Sequence, residues 1–152
     1  MTDTDRRFSL ATAFAASEMN DLPTWVGEFL ASKGSDNAAL AAGLAQDPHW
    51  WLGPIQVPLE DLVRLAGPED DVLVPIEEEE WEDDIAEMAE SLDDGWEPPP
   101  LLAEFQAGRL LLQDGNHRYE ALTRAEAADA WVLVWFDSEA ERDEFAAAVQ
   151  VF

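Results

Sequence analysis

The chain has 152 residues, 47% of them hydrophobic, which is enough apolar material for one domain with its own core. Its net charge is −26, because 34 acidic residues face 8 lysines and arginines. Such a surface repels nucleic acids and anionic lipids, whereas cations or a basic protein partner would be attracted. The alternative is that the acids only keep the protein soluble. Without cysteine, the chain has no disulfides, thiolate catalysis or cysteine-ligated metals.

The N-terminus does not have the pattern of a signal peptide. Arg6 and Arg7 precede an apolar stretch, residues 8–16, that is short and contains Ser9 and Thr12. No apolar run reaches the roughly 20 residues that a membrane span needs. We therefore expect a cytoplasmic protein.

The first third of the chain is predicted to be helical. Residues 8–17 are rich in alanine, and residues 21–24 resemble a helix start with proline near the first turn. A third helix is expected to open at residues 35–37 and to stop at residues 47–48. We interpret residues 1–53 as a helical extension that caps the core or forms a partner surface.

Residues 49–54 then form a predicted hinge, which begins with His49 and two adjacent tryptophans, Trp50 and Trp51. Two tryptophans beside a histidine could stack on a base or a sugar. Core anchoring is the more common role, because tryptophan buries a large area. His49 has no second histidine at a ligand-like spacing, so a metal role is not expected.

The middle of the chain mixes short elements with an acidic run. Residues 55–58 predict an edge strand, residues 59–65 a short helix, and residues 72–76 another strand. Residues 77–84 are acidic apart from Trp81; their carboxylates could hold Mg²⁺, but such a run is more often a solvated face. Apolar residues spaced by four, three and four predict an amphipathic helix, and they are Trp81, Ile85, Met88 and Leu92.

The last third predicts a hairpin, a helix, a strand and a final helix. Residues 101–105 and 109–113 are the hairpin strands, and Asp114-Gly115 ends the second one. Asn116 suits the N-cap of a helix that runs to about residue 128. Residues 131–136 form an unbroken apolar strand that should be buried on both faces, and Ser138 with Glu141 predicts a capping box.

A turn from a strand into a helix directs backbone N–H groups and a positive dipole end at any anion that binds there. His117 and Arg118 can add donors, and arginine suits phosphate oxygens. The alternative is a capped helix start that binds nothing.

With this order of elements, the sequence Asp114-Gly115-Asn116-His117-Arg118-Tyr119 resembles the ParB/sulfiredoxin fold. The resemblance covers roughly residues 53–136 and is most specific at residues 57–64 and 114–122. It implies an α+β (α/β) architecture, a small mixed sheet with flanking helices. Residues 54–152 would be the ParB/sulfiredoxin-like domain, and the whole chain, 1–152, a single compact unit.

The resemblance also implies which activities to expect. In sulfiredoxins the turn reads Gly-Cys-His-Arg-Tyr, and its His and Arg hold ATP phosphates. Asn116 stands in the place of the reactive cysteine, so sulfinic acid reduction is not expected. In ParB proteins the turn reads Gly-Glu-Arg-Arg and belongs to a CTP site, but the acid and the first arginine are missing here. With the acidic charge and no room for DNA-binding domains, a full DNA-partitioning ParB is not expected. A third branch of the fold contains kinases of small molecules.

The first hypothesis is therefore a nucleotide- or phosphate-binding domain that takes Mg²⁺ with ATP, ADP or CTP, as an NTP hydrolase or small-molecule kinase would. Its phosphate-binding residues would be Gly115, Asn116, His117 and Arg118, with Arg64 as a further contact. Asp114 or Glu120 would bridge Mg²⁺ or orient a nucleophile. Each also has a structural interpretation: a turn residue for Asp114, an exposed helix position for Glu120 and a cap for Asn116.

The second hypothesis is a non-catalytic module of the same fold. It would bind a basic protein partner through its acidic surface and helical first third, in a regulatory or DNA-mimicking role. The sequence leaves open whether the protein is an enzyme and which oligomeric state it adopts.

Overall fold

The computed structural model describes residues 8–32, 37–47, 49–67, 74–95 and 98–149. Within these ranges the chain forms helices and strands in the following order: α1 (Leu10–Glu18), α2 (Leu22–Ala31), α3 (Ala38–Gln46), β1 (Trp50–Pro58), a 3₁₀ turn (Leu59–Asp61), β2 (Leu62–Arg64), β3 (Ala66–Gly67), β4 (Val74–Pro75), α4 (Glu78–Asp93), β5 (Leu101–Gln106), β6 (Arg109–Asp114), α5 (Asn116–Arg124), β7 (Asp129–Phe136) and α6 (Glu139–Val149). None of the helices in these ranges has the length and apolar character to cross a membrane.

A five-stranded mixed sheet in the order β1-β7-β5-β6-β2 forms the centre of the fold. β7 pairs antiparallel with β1 and parallel with β5, while β6 pairs antiparallel with β5 and parallel with β2. The short strands β3 and β4 form a separate parallel pair. A mixed sheet with flanking helices is the α+β architecture that the sequence predicts.

The strand β7 is buried on both faces, as its unbroken apolar run predicts. Val132 and Val134 belong to one core, which also contains Tyr119 and Leu122 of α5 at its edge. Leu133 belongs to a second core on the opposite face. Side chains of successive strand residues point to opposite faces, so a strand that separates two cores must be apolar throughout.

The N-terminal helices close the second face of the sheet. Val26 and Leu30 of α2 are buried in the same core as Leu133 and Trp135 of β7. The predicted first helix is confirmed, and Ser9 caps it by accepting a hydrogen bond from the Thr12 N–H. Residues 35, 36 and 48, which belong to the expected start and end of the third helix, lie outside the described residues.

The acidic helix α4 confirms the amphipathic prediction. Trp81 and Ile85 are buried in a small core with Ala121 of α5, and Met88 and Leu92 pack at its edge. Most of its carboxylates are exposed to solvent. Helix α4 therefore lies against α5 and presents acids outward.

Two predictions about the middle of the chain were wrong. Residues 59–65 are not a helix, since a 3₁₀ turn covers Leu59–Asp61 and the strand β2 follows it. β2 pairs with β6 at the edge of the sheet, and in this position Leu62 is buried. Residues 50–54 of the predicted hinge are the start of β1, whose Trp50 and Trp51 pair with Phe136 and Trp135 of β7. The helical part therefore ends before residue 50.

The remaining element predictions concern short segments. Of the strand predicted at residues 72–76, Val74–Pro75 form β4, and residues 72 and 73 lie outside the described part of the chain. The hairpin between β5 and β6 is confirmed. The cap of α6 is also confirmed, because the Glu141 N–H donates to Ser138 Oγ over 3.2 Å.

Candidate functional site

The turn between β6 and α5 depends on a glycine. Gly115 occupies the N-cap position of α5 with a φ of 97°, a left-handed conformation that favours glycine. A Cβ built there would lie 2.6 Å from Leu101 Cδ2 and 2.8 Å from Arg118 Nη2. The prediction of Asn116 as the N-cap was therefore wrong by one residue, since Gly115 provides the sharp bend and Asn116 is already helical.

The side chain of Asn116 fastens the turn to the end of β2. Its Oδ1 accepts a hydrogen bond from the Leu65 N–H over 2.8 Å, and its Nδ2 donates to the Leu112 carbonyl over 3.3 Å. Asn116 is buried, and its amide satisfies backbone groups of two separate segments. Its contacts give it a structural role where the sulfiredoxin turn carries a cysteine.

Beneath the turn lies a buried ion pair. Arg118 Nη2 donates to Asp114 Oδ2 over 3.0 Å, and each residue is only 8% exposed. Asn37 Nδ2 donates to Asp114 Oδ1 over 3.2 Å, and the guanidinium lies 5.4 Å from the ring centre of Phe29. A longer bond of 3.5 Å joins Arg118 Nη1 to the Pro99 carbonyl. The Arg118 charge is thus directed into the fold, against residues of the N-terminal region.

Burial and the neighbouring carboxylate have opposite effects on Arg118. Desolvation lowers the pKa of its guanidinium, while the charge and hydrogen bond of Asp114 raise it. Arginine nevertheless stays protonated in proteins. The Asp114–Arg118 pair is therefore a charged, compensated unit inside the protein.

A second network of charges joins α5 to β2 and α4. Glu120 accepts from Arg64 Nη1 over 3.0 Å and from Arg124 Nε over 2.9 Å. Arg124 also donates to both carboxylate oxygens of Glu82, over 2.7 and 2.8 Å. The Arg64 guanidinium lies 4.9 Å from the ring centre of Trp81. Glu120 is predicted to bridge Mg²⁺ or to orient a nucleophile, and each of its carboxylate oxygens here accepts a hydrogen bond from an arginine.

His117 lies on the first turn of α5, half-buried against α4. Its ring centre is 4.7 Å from that of Trp81, and its Nε2 lies 3.5 Å from Asp84 Oδ2 without forming a hydrogen bond. Burial lowers the pKa of His117, and the charges of Asp84 and Glu80 only partly oppose this effect. The imidazole is therefore neutral at neutral pH.

The lowered pKa of His117 predicts a pH-dependent loss of stability. The unfolded chain takes up a proton near pH 6.5, before the folded one does, so the histidine weakens the fold as the pH falls below about 6.5. Urea unfolding of wild type and His117→Gln, between about pH 7.5 and about pH 5.5, measures this effect. We expect the wild type to lose more free energy of unfolding than the variant. Equal losses would contradict the lowered pKa.

The structure brings the residues singled out in the sequence to one end of α5. They are Arg64, Asp114, Gly115, Asn116, His117, Arg118 and Glu120. It adds four that the sequence did not indicate: Phe29, Asn37, Trp81 and Asp84. These come from α2, α4 and the start of α3, and no local motif relates them to the turn. Across the described ranges, no three His, Asp or Glu side chains are grouped to hold a metal ion.

Comparisons with known proteins give matches to solved structures only. No protein-family model matches the chain, and no curated protein does. The structure is similar to a sulfiredoxin from Arabidopsis thaliana, at 16% identity and a TM-score of 0.43, over 59% of this chain and 92% of that one. It is also similar to a Pnob8-like ParB-N domain, at 20% identity and a TM-score of 0.37, over 64% of this chain and 33% of that one. These are the two kinds of protein that the sequence resembles, and what the turn binds has to be inferred from its own contacts.

Proposed function

We propose that the β6–α5 turn binds the phosphates of a nucleotide that carries Mg²⁺. The observation that carries this proposal is the start of α5, where a glycine N-cap and the His117 imidazole meet at one helix end. The backbone N–H groups of a first helical turn have no partner within the helix, and together with the positive end of the helix dipole they favour an anion. An anion at this end would accept from these groups.

In this proposal, Arg118 and Asp114 position the turn and do not contact the phosphate. Their ion pair is buried and is covered by Phe29 and Asn37. A guanidinium directed inward fixes the path of the chain between β6 and α5. His117 is then a side chain at the helix end that can meet a ligand, through its Nδ1, because its Nε2 is buried beside Asp84. A phosphate beside the ring would favour its protonated form.

The acids around the turn make Mg²⁺ part of the proposal. Asp84 lies 3.5 Å from His117 and its side chain is 46% exposed, and the charge of Glu80 also acts on His117. These carboxylates repel a bare phosphate. Mg²⁺ prefers oxygen ligands and is commonly shared between one or two carboxylates and a nucleotide, so an ion bound to ATP, ADP or CTP would offset the repulsion.

An NTP hydrolase or a small-molecule kinase would use the same turn, because phosphoryl transfer needs mainly positioning and charge neutralisation. The two carboxylates predicted for catalysis both hold protein partners. Asp114 accepts from Asn37 and Arg118, and Glu120 accepts from Arg64 and Arg124. Their catalytic role stays a prediction, and the proposal covers binding.

The test is calorimetric titration of ATP, ADP and CTP into wild type and His117→Gln, each with and without Mg²⁺. We expect saturable binding only with Mg²⁺, and binding about tenfold weaker in the variant because a charge-assisted hydrogen bond is lost. Binding to wild type should tighten relative to the variant as the pH falls from about 7.5 to about 6, because the bound imidazole takes up a proton.

His49→Gln is the matched control, since His49 is the only other histidine in the sequence and lies on the approach to β1. It should bind like wild type. Nucleotides that release no heat with wild type, or that bind equally well to His117→Gln, would contradict the proposal.

The second candidate function is the acidic interaction module. The observation in its favour is α4, whose apolar side packs on α5 while its other side exposes carboxylates on a chain of net charge −26. Arg64, Arg118 and Arg124 are each paired with the chain's own acids, so they do not offset this surface. A basic partner captured at low salt and released at moderate salt would favour this function.

A further inference from the structure

A second concave site lies away from the β6–α5 turn. A cavity of about 410 Å³ opens between α2, α3 and the approach to β1. Val26 and Gly27 line it from α2, Leu44 lines it from α3, and Trp51 lines it from β1. Pockets of this size with mostly apolar walls bind small organic molecules.

A glycine keeps one wall of this cavity open. A Cβ built on Gly27 would meet no heavy atom within 4 Å, and no left-handed φ requires glycine there. Glycine in the interior of a helix is less stable than alanine, so packing and backbone conformation give no reason for it. Because Gly27 lines the cavity, we expect a bulky side chain at this position to reduce the space for a ligand.

The polar groups on the cavity wall indicate the chemistry of the ligand. Asp47 lines the cavity and is exposed, so its carboxylate can meet a cation at low desolvation cost. His49 also lines it, and its buried Nδ1 makes no hydrogen bond in the described part of the chain, although Asp137 Oδ1 lies 3.5 Å away. The net charge of −26 favours cationic over anionic ligands.

The aromatic wall favours a flat ligand. Trp51 packs against Trp135 with 5.6 Å between ring centres, and this contact orients its indole. An oriented indole can contact a flat ring through offset or edge-to-face geometry and can attract a cation. We infer that the α2–α3 cavity binds a small aromatic amine, with its ring among Val26, Leu44 and Trp51 and its ammonium group near Asp47. This site is independent of the proposed nucleotide site.

Phenethylamine is the probe, with ethylbenzene as its neutral counterpart and 3-phenylpropionate as its anionic one. Calorimetry and quenching of tryptophan fluorescence would follow binding. We expect phenethylamine to saturate with a dissociation constant of about 1 mM or lower, ethylbenzene to bind several-fold more weakly, and 3-phenylpropionate not to bind. Absence of phenethylamine binding at about ten times that concentration, or equal binding of all three compounds, would overturn the inference.

Variants of residues in and near the cavity test whether phenethylamine binds there. Gly27→Leu should weaken phenethylamine binding about tenfold or more by filling the space. Gly43→Leu is the matched control, because Gly43 is a helical glycine of α3 with nothing within 4 Å of its Cβ position and does not line the cavity. Asp47→Asn should weaken phenethylamine several-fold and leave ethylbenzene unchanged. Binding that survives undiminished in Gly27→Leu, or that is lost equally in Gly43→Leu, would overturn the inference; thermal melts of all three variants verify folding.

Discussion

Replacing Arg118 by methionine is expected to lower the free energy of unfolding by about 3–5 kcal/mol, because it removes the buried guanidinium that pairs with the Asp114 carboxylate. Arg118 and Asp114 are each 8% exposed, and Arg118 Nη2 lies 3.0 Å from Asp114 Oδ2. Asn37 still donates to Asp114 in this variant, but a neutral amide does not replace the charge of the guanidinium. Urea unfolding followed by circular dichroism measures the loss.

The double variant Asp114→Leu with Arg118→Met is the control for this prediction. It removes both charges, so it should be more stable than the single Arg118→Met variant, although it lacks one more native residue. A loss of less than about 1 kcal/mol of unfolding free energy in Arg118→Met would contradict the burial of the pair, since exposed ion pairs contribute no more than that.

Gly115→Ala is expected to lower the free energy of unfolding by about 2–5 kcal/mol, through backbone strain and steric overlap together. The φ of Gly115 is 97°, and its new methyl group would lie 2.6 Å from Leu101 Cδ2. Leu101 is buried at the start of β5, so it cannot move away easily. The overlap also includes Arg118 Nη2 at 2.8 Å, so the ion pair would be displaced.

Gly108→Ala is the matched control for Gly115→Ala. Gly108 has a φ of 79° in the β5–β6 hairpin, and a Cβ there would meet nothing within 4 Å. Gly108→Ala should therefore lower the free energy of unfolding through backbone strain alone, by about 1–3 kcal/mol. Equal losses in the two variants would show that the turn relaxes around the new methyl group, contrary to the tight packing described above.

The sequence predicted those parts of the fold whose signals are local. The apolar run of β7, the spacing of Trp81 and Ile85 in α4, and the hairpin before Asp114 each depend on residues close together in the chain. Residues 59–65 were mispredicted because their state depends on pairing with β6, more than forty positions along the chain. Trp50 and Trp51 were mispredicted as part of a hinge for the same reason, since the residues that they pair with are in β7.

The candidate site was predictable in its composition but not in its contacts. The motif placed His117 and Arg118 at a helix start, which the structure bears out. It could not show that Arg118 turns inward, because Asn37 and Phe29 come from the N-terminal region, and Asn37 is separated from Asp114 by 77 positions. Nor could it show that Glu120 would accept a hydrogen bond from Arg64, because this contact joins residues 56 positions apart and depends on the packing of β2 against α5.

The most direct test of the central claim is the amide spectrum of isotope-labelled protein during titration with Mg²⁺ and ATP. The claim is that the start of α5 holds the phosphates through its backbone N–H groups and His117. It predicts that the largest shifts belong to the amides of residues 115–118 and to the His117 ring, that they saturate, and that Mg²⁺ alone does not reproduce them. An unchanged spectrum, or shifts centred on the exposed acids of α4 and equally produced by Mg²⁺ alone, would contradict it.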